Sequence, residues 1–165
     1  MIKGLLVKSM ILLTFANNMN YKTTIIESQF YYENPVIEIE KINLKQEFYP
    51  NDKEKNNVDK NIQVIETSQM PEQINSNLIL ASHSGNSSIA YFKHLDKLKI
   101  NDSVYIYYKN KKYKYIIYDN YEVEKTGYLE IKRKQDKTTL TLITCKKGTN
   151  KQLVFIGYLE ITQTL

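Results

Sequence analysis

Between residues 35 and 48 the chain reads PVIEIEKINLKQEF, with Ile37 and Ile39 on one side and Glu38 and Glu40 on the other. Such alternation is the mark of a strand with one buried face. Beyond Lys41 the apolar set moves to Ile42 and Leu44, the opposite parity, which predicts a bulge or a break into two strands. Residues 50–60, PNDKEKNNVDK, read as a charged polar loop, followed by short apolar pieces at 62–65 and at 77–81, NLILA. Neither piece has the length of a free-standing helix. The spacing changes at 87–98, where Ile89, Phe92, Leu95 and Leu98 recur every three residues after Ser87 and Ser88, two candidate N-caps. This predicts one short helix.

The remainder predicts strands and turns. VYIYY at 104–108 and YKYIIY at 113–118 flank Lys109 to Lys112, a pattern that predicts a hairpin with a tight polar loop. LTLITC at 140–145 and LVFIGYL at 153–159 are two more strands, joined by a loop at 146–151 that carries Gly148. Seven or eight short strands and one helix give a mainly β chain. A closed or nearly closed barrel is the economical way for it to bury its apolar faces and hide its edges.

A length of 165 residues suits one such core, preceded by an N-terminal segment at 1–33. That segment begins MIKGLLVKSM and holds an apolar run at 10–16, too short for a spanning helix, and no small-x-small cleavage site follows Ala16. An export signal or weak membrane anchor, making membrane contact, and an amphipathic first helix packed on the domain stand about even. The barrel itself is expected over 34–165. The charge of +5 with pI ≈ 9.0 would suit an anionic partner. With Arg133 as the only arginine and the lysines spread out, nucleic acid is not expected as a partner. A tyrosine-rich barrel that stacks single-stranded nucleic acid is kept as a distant alternative.

The lone cysteine, Cys145, excludes an internal disulfide and a multi-cysteine zinc site. It ends a β-branched strand, and His83 lies just past another strand in ASHSG. A thiolate next to an imidazole that can take and return a proton is the requirement for nucleophilic cysteine catalysis. The alternative is a cysteine acting as a small hydrophobe and a histidine acting as a structural hydrogen-bonder. His94, beside Lys93 within 87–98, reads as a surface residue.

The segments IEIEKINLKQEFYP at 37–50, ASHSG at 81–85, AYFKHLDKLKINDSVYIYY at 90–108 and TLITC at 141–145, in this order, resemble the sortase family of cell-wall cysteine transpeptidases over roughly residues 36–159. The resemblance implies a closed eight-stranded β-barrel with one or two short helices, found on the outer face of a Gram-positive type of membrane. It also implies cleavage of an LPxTG-like sorting signal between Thr and Gly through a thioacyl-enzyme. An amine of a peptidoglycan precursor or a pilin then resolves that intermediate. Cys145 would be the nucleophile and His83 the general acid and base, with Ala81, Ser82, Thr144 and Tyr128 contacting substrate. The family's arginine on the strand after the cysteine is matched by Gln152, which keeps an amide donor but no charge. That departure leaves open a catalytically weak barrel that only binds sorting-signal peptides. Lys151 alternates to the other side of the strand, and Arg133 reaches the groove only from its rim. Residues 120–134 correspond to the segment that walls the family's groove, with Gly127 as its flexible point. No cofactor is expected. Some family members use calcium, but Glu122 and Glu124 at alternate strand positions fall short of the six to eight oxygens it requires.

Overall fold

The parity change at Lys41 is resolved by a tight turn. In the computed structural model, which describes residues 32–165, β1 (Val36–Ile39) runs into a 3-10 turn at Glu40–Ile42. Asn43 then takes a left-handed φ of 51°, and β2 (Leu44–Glu47) returns antiparallel with Ile39 opposite Leu44. The remaining strands are β3 (Gln63–Val64), β4 (Asn77–Ala81), β5 (Ser103–Tyr108), β6 (Lys111–Glu124), β7 (Thr139–Cys145) and β8 (Lys151–Thr164). The expectations for residues 1–33 fall, apart from Tyr32 and Glu33, outside the described residues. Among the described residues no helix is long and apolar enough to cross a membrane.

The eight strands among the described residues belong to one sheet in the order β2-β1-β5-β6-β8-β7-β4-β3. The sheet curls until its two edges approach, where Tyr49 and Gln63 form a single bridge and Gln46 Nε2 donates to Asn61 Oδ1 at 3.3 Å. The expected closed barrel is therefore corrected to a curled sheet with a seam. The two residues of β3 are too few for a continuous ladder across it. The fully buried Ile37, Ile39, Leu78, Leu80, Ile106, Leu140 and Leu142 fill the interior from alternate positions of their strands. At the β5–β6 turn, Lys109 and Asn110 both have positive φ, 49° and 57°, the backbone of a two-residue hairpin whose twist matches the flanking strands.

Residues 87–98 are a second correction. In place of one short helix there is a chain of tight turns ending in a 3-10 turn at Leu95–Lys97. Ala90 N–H donates to Ser87 O, Lys93 N–H to Ala90 O, Leu95 N–H to Phe92 O and Leu98 N–H to Leu95 O, each spanning three residues. An apolar repeat of strictly three suits 3-10 geometry, with three residues per turn, and buries Phe92, Leu95 and Leu98 on one side. An α-helix would also have needed apolar residues at the four-residue spacing.

β4 and β7 are parallel neighbours, pairing Asn77 with Thr139 through to Ala81 with Ile143. A buried polar cluster fastens their starting ends. Asn77 Oδ1 accepts hydrogen bonds from Thr139 Oγ1 at 3.0 Å and Thr141 Oγ1 at 2.9 Å. Thr139 can turn to Ser76 O at 3.3 Å, but Thr141 has no second acceptor among the described residues. Replacing Asn77 by Ala strands that buried hydroxyl, so Asn77→Ala is expected to destabilise the fold by about 2 kcal/mol. In urea unfolding this appears as a lower midpoint at an unchanged slope.

Candidate active site at the ends of three strands

The register brings three of the residues singled out in the sequence together. Leu78 and Leu80 of β4 and their partners Leu140 and Leu142 of β7 face the core. Ile79 and Ala81, with Thr141 and Ile143, therefore face the other way. The β4 ladder continues past Ala81, with Ser82 N–H donating to Ile143 O at 3.2 Å. His83 thus follows at the level of Cys145, on the face away from the leucines. On the other flank Cys145 pairs with Gln152 of β8. Next to them Lys146 N–H donates to Lys151 O at 2.8 Å, so Cys145 and Gln152 form the non-hydrogen-bonded kind of pair, with Cα atoms about 4.5 Å apart and side chains close. His83, Cys145 and Gln152 occupy adjacent strand ends on one face, and all three are partly exposed.

The neighbouring side chains have distinct tasks. Thr144 is buried, and its Oγ1 donates to Ser82 O at 2.7 Å, bolting the end of β7 to the end of β4. Ser82 is likewise buried, on the core-facing parity, and its Oγ approaches Ile89 O at 3.5 Å. Ala81, partly exposed, shares the face of His83 and leaves room above the strand. His83 O accepts from Phe92 N–H at 3.2 Å, which fixes the backbone where β4 gives way to the turns.

Of the segment 120–134 expected to wall a groove, residues 120–124 belong to β6, and the rest lies in the loop at 125–138 beside this face. Tyr121 pairs with Val154, itself opposite Ile143, so its ring lies on the site face. The Tyr121 hydroxyl accepts from Lys132 N–H at 3.0 Å and donates to Glu130 O at 3.2 Å, holding the loop against that face. Arg133 donates to Asn75 O, Lys137 O and Lys134 O at 3.2, 3.3 and 3.4 Å, and so ties the loop to the approach of β4. Tyr128 follows Gly127, whose φ is +85°, and stands 79% exposed.

On the other side of Cys145 a cleft of about 350 Å³ opens at the barrel end, lined among others by Ser84, Phe92, Leu98, Thr144, Cys145 and Leu153. Lys93, Lys146 and Lys147 line it too. Lys151 has the parity of Leu153 and not that of Gln152, so it belongs to this side. There Glu122 bridges Lys146 at 2.5 Å and Lys151 at 3.7 Å, and the Lys146 ammonium holds its carboxyl below the usual carboxylate range. Glu124 lies 3.9 Å from Lys151. Among the described residues no group of three or more His, Cys, Asp and Glu side chains gathers to hold a metal ion. His94 is half-exposed, and partial burial together with Lys97, Lys93 and Lys147 holds its imidazole below the ordinary range.

One contact has no counterpart in the sequence reading. His83 Nε2 lies 3.0 Å from Asp59 Oδ1, contributed by the charged loop between β2 and β3. Nothing in the spacing signals it, because 24 residues separate the two and the pairing of β3 with β4 brings them together.

A family profile for the sortase domain matches residues 37–160. Solved structures agree. Sortase C1 from Streptococcus agalactiae is 28% identical with a TM-score of 0.65, over 76% of this chain and 66% of that one, so the chain spans about two thirds of its length. Sortase C from Clostridium perfringens is 28% identical with a TM-score of 0.63, over 76% and 68%. Sortase A from Listeria monocytogenes, 22% identical over 79% and 89% with a TM-score of 0.67, shares the fold. No curated protein sequence matches the chain. With three quarters of its length under the family profile and the same curled sheet as solved members, the chain belongs to the sortase family.

Proposed function

We propose that the protein is a cysteine transpeptidase that cuts an LPxTG-like sorting signal and transfers the upstream protein to an amine. The observation that carries this reading is the common face of His83, Cys145 and Gln152 at three neighbouring strand ends. In the first step the Cys145 thiolate attacks the carbonyl carbon between Thr and Gly. Negative charge develops on the carbonyl oxygen, where the Gln152 amide can donate a hydrogen bond. As the tetrahedral centre collapses, the C–N bond breaks and imidazolium His83 protonates the departing amine, leaving a thioacyl-enzyme. An incoming amine loses its proton to His83 and displaces the thiolate, which restores both groups.

Ala81 gives the small floor that an extended peptide needs, and Tyr128 offers an exposed ring from the wall. Thr144 and Ser82 contribute by fixing the strand ends, and through Thr144 by lining the cleft beyond the cysteine. The partners on this reading are secreted proteins with a C-terminal sorting signal, and an amine of a peptidoglycan precursor or a pilin. The site of action is the cell surface. A second reading, a barrel that binds sorting signals with little turnover, is favoured by one observation, the uncharged Gln152 where the family pattern has arginine.

Intact-mass spectrometry after incubation with a panel of sorting-signal peptides tests the first reading: a thioacyl adduct on Cys145 is expected, and none on Cys145→Ala. In peptide-cleavage assays His83→Ala is expected to lose about 10²–10⁴ in rate, while His94→Ala stays near the parent. Equal losses at both histidines would reassign the acid–base role. For Gln152→Ala a fall of about 10²–10³ in turnover with unchanged folding is expected. Gln152→Arg is expected to keep or raise activity. Full turnover by Gln152→Ala would remove it from the oxyanion role.

A further inference from the structure

The Asp59 carboxylate meets His83 along a path that is fixed at each joint. Asn57 Oδ1 accepts the Asp59 N–H at 2.8 Å, and Asn57 O accepts the N–H groups of Lys60 and Asn61 at 2.9 and 2.8 Å, so the turn that presents Asp59 is internally bonded. Asn56 clamps the same loop to β3, donating from Nδ2 to Val64 O at 2.9 Å and accepting from Val64 N–H at Oδ1 at 2.6 Å. β3 in turn pairs Gln63 with Ala81, two residues before the histidine. The carboxylate arrives at Nε2 with a separation of 3.0 Å.

We propose that Asp59 is a positioning residue for His83. Its carboxylate accepts the Nε2–H bond and so selects the tautomer in which Nδ1 is the nitrogen free to exchange a proton, and it offsets the charge of the imidazolium once that proton is taken up. This inference rests on the reading of His83 as the general acid and base. The Asp59 side chain is 77% exposed and that of His83 40%, so water competes for the bond. The effect is accordingly smaller than for a buried aspartate, about tenfold in rate.

The test uses the full chain and a sorting-signal peptide that it turns over. Asp59→Ala is expected to lower kcat about tenfold at unchanged KM, and to add nothing further in a His83→Ala background, because the carboxylate works only through the ring. Asp59→Asn, which keeps an acceptor oxygen without the charge, is expected to fall between Asp59→Ala and the parent. Nitrogen-15 NMR of the imidazole is expected to show the Nε2–H tautomer in the parent and a mixture in Asp59→Ala. Parent-like kcat in Asp59→Ala, a loss that adds in full to that of His83→Ala, or an Nδ1–H tautomer in the parent would each overturn the proposal. Full turnover by His83→Ala would instead overturn the acid–base reading itself, and the ring spectrum separately reports whether the bond to Asp59 fixes the tautomer.

Discussion

The parallel pairing of β4 with β7 is the constraint on which the site depends. These strands are distant in sequence, and their ladder, carried one step further by the Ser82 N–H bond to Ile143 O, sets His83 level with Cys145. A slip of one residue would turn either side chain to the core face. The register is held at both ends by side chains: Asn77 receives Thr139 and Thr141 at the start, and Thr144 reaches Ser82 O at the finish. Between them the paired leucines face the core, so the hydrophobic pattern and the polar bolts specify the same alignment. The threonines of TLITC are thereby explained by hydrogen bonds, and the last residue of the motif, Cys145, is left partly exposed.

Much of this was legible in the chain because strand periodicity is a local property. The alternation at 37–40, its reversal at 42–44 and the apolar runs ending at Ala81 and Cys145 translate directly into β1, β2, β4 and β7. The turns at 87–98 misled because apolar residues three apart satisfy half of the helical pattern, and only the hydrogen bonds separate a 3-10 course from an α-helix. β6 and β8 extend to 14 residues each, well beyond their apolar cores, because each supplies the other's ladder through exposed ends such as Lys111 with Thr164. Asp59 was illegible for the opposite reason: a charged residue in a polar loop carries no period, and its partner is chosen by the fold.

Charge around Cys145 is divided by the sheet. One face presents the imidazole, the thiol and the Gln152 amide. The other holds Lys146 and Lys151 around Glu122, lysines whose charge is already partly engaged by carboxylates. Arg133 is committed to three carbonyls that fasten the wall loop. The cationic character of the chain therefore does not converge on the face that Cys145 shares with His83, and a neutral amide is what the strand register places opposite the cysteine.

The seam between β2 and β3 has a dynamic consequence. Edges joined by a backbone bridge and by the side-chain amides of Gln46 and Asn51 form the least cooperative part of the sheet, where local opening costs the least free energy. The loop that crosses from one edge to the other is the loop that carries Asp59. Asn56 fastens that loop to β3, and β3 pairs with β4, so an opening of the seam parts β2 from a unit that keeps the Asp59 carboxylate with the His83 imidazole. The loosest line of the sheet thus runs beside the candidate site without dividing it, with His83, Cys145 and Asp59 all on the same side.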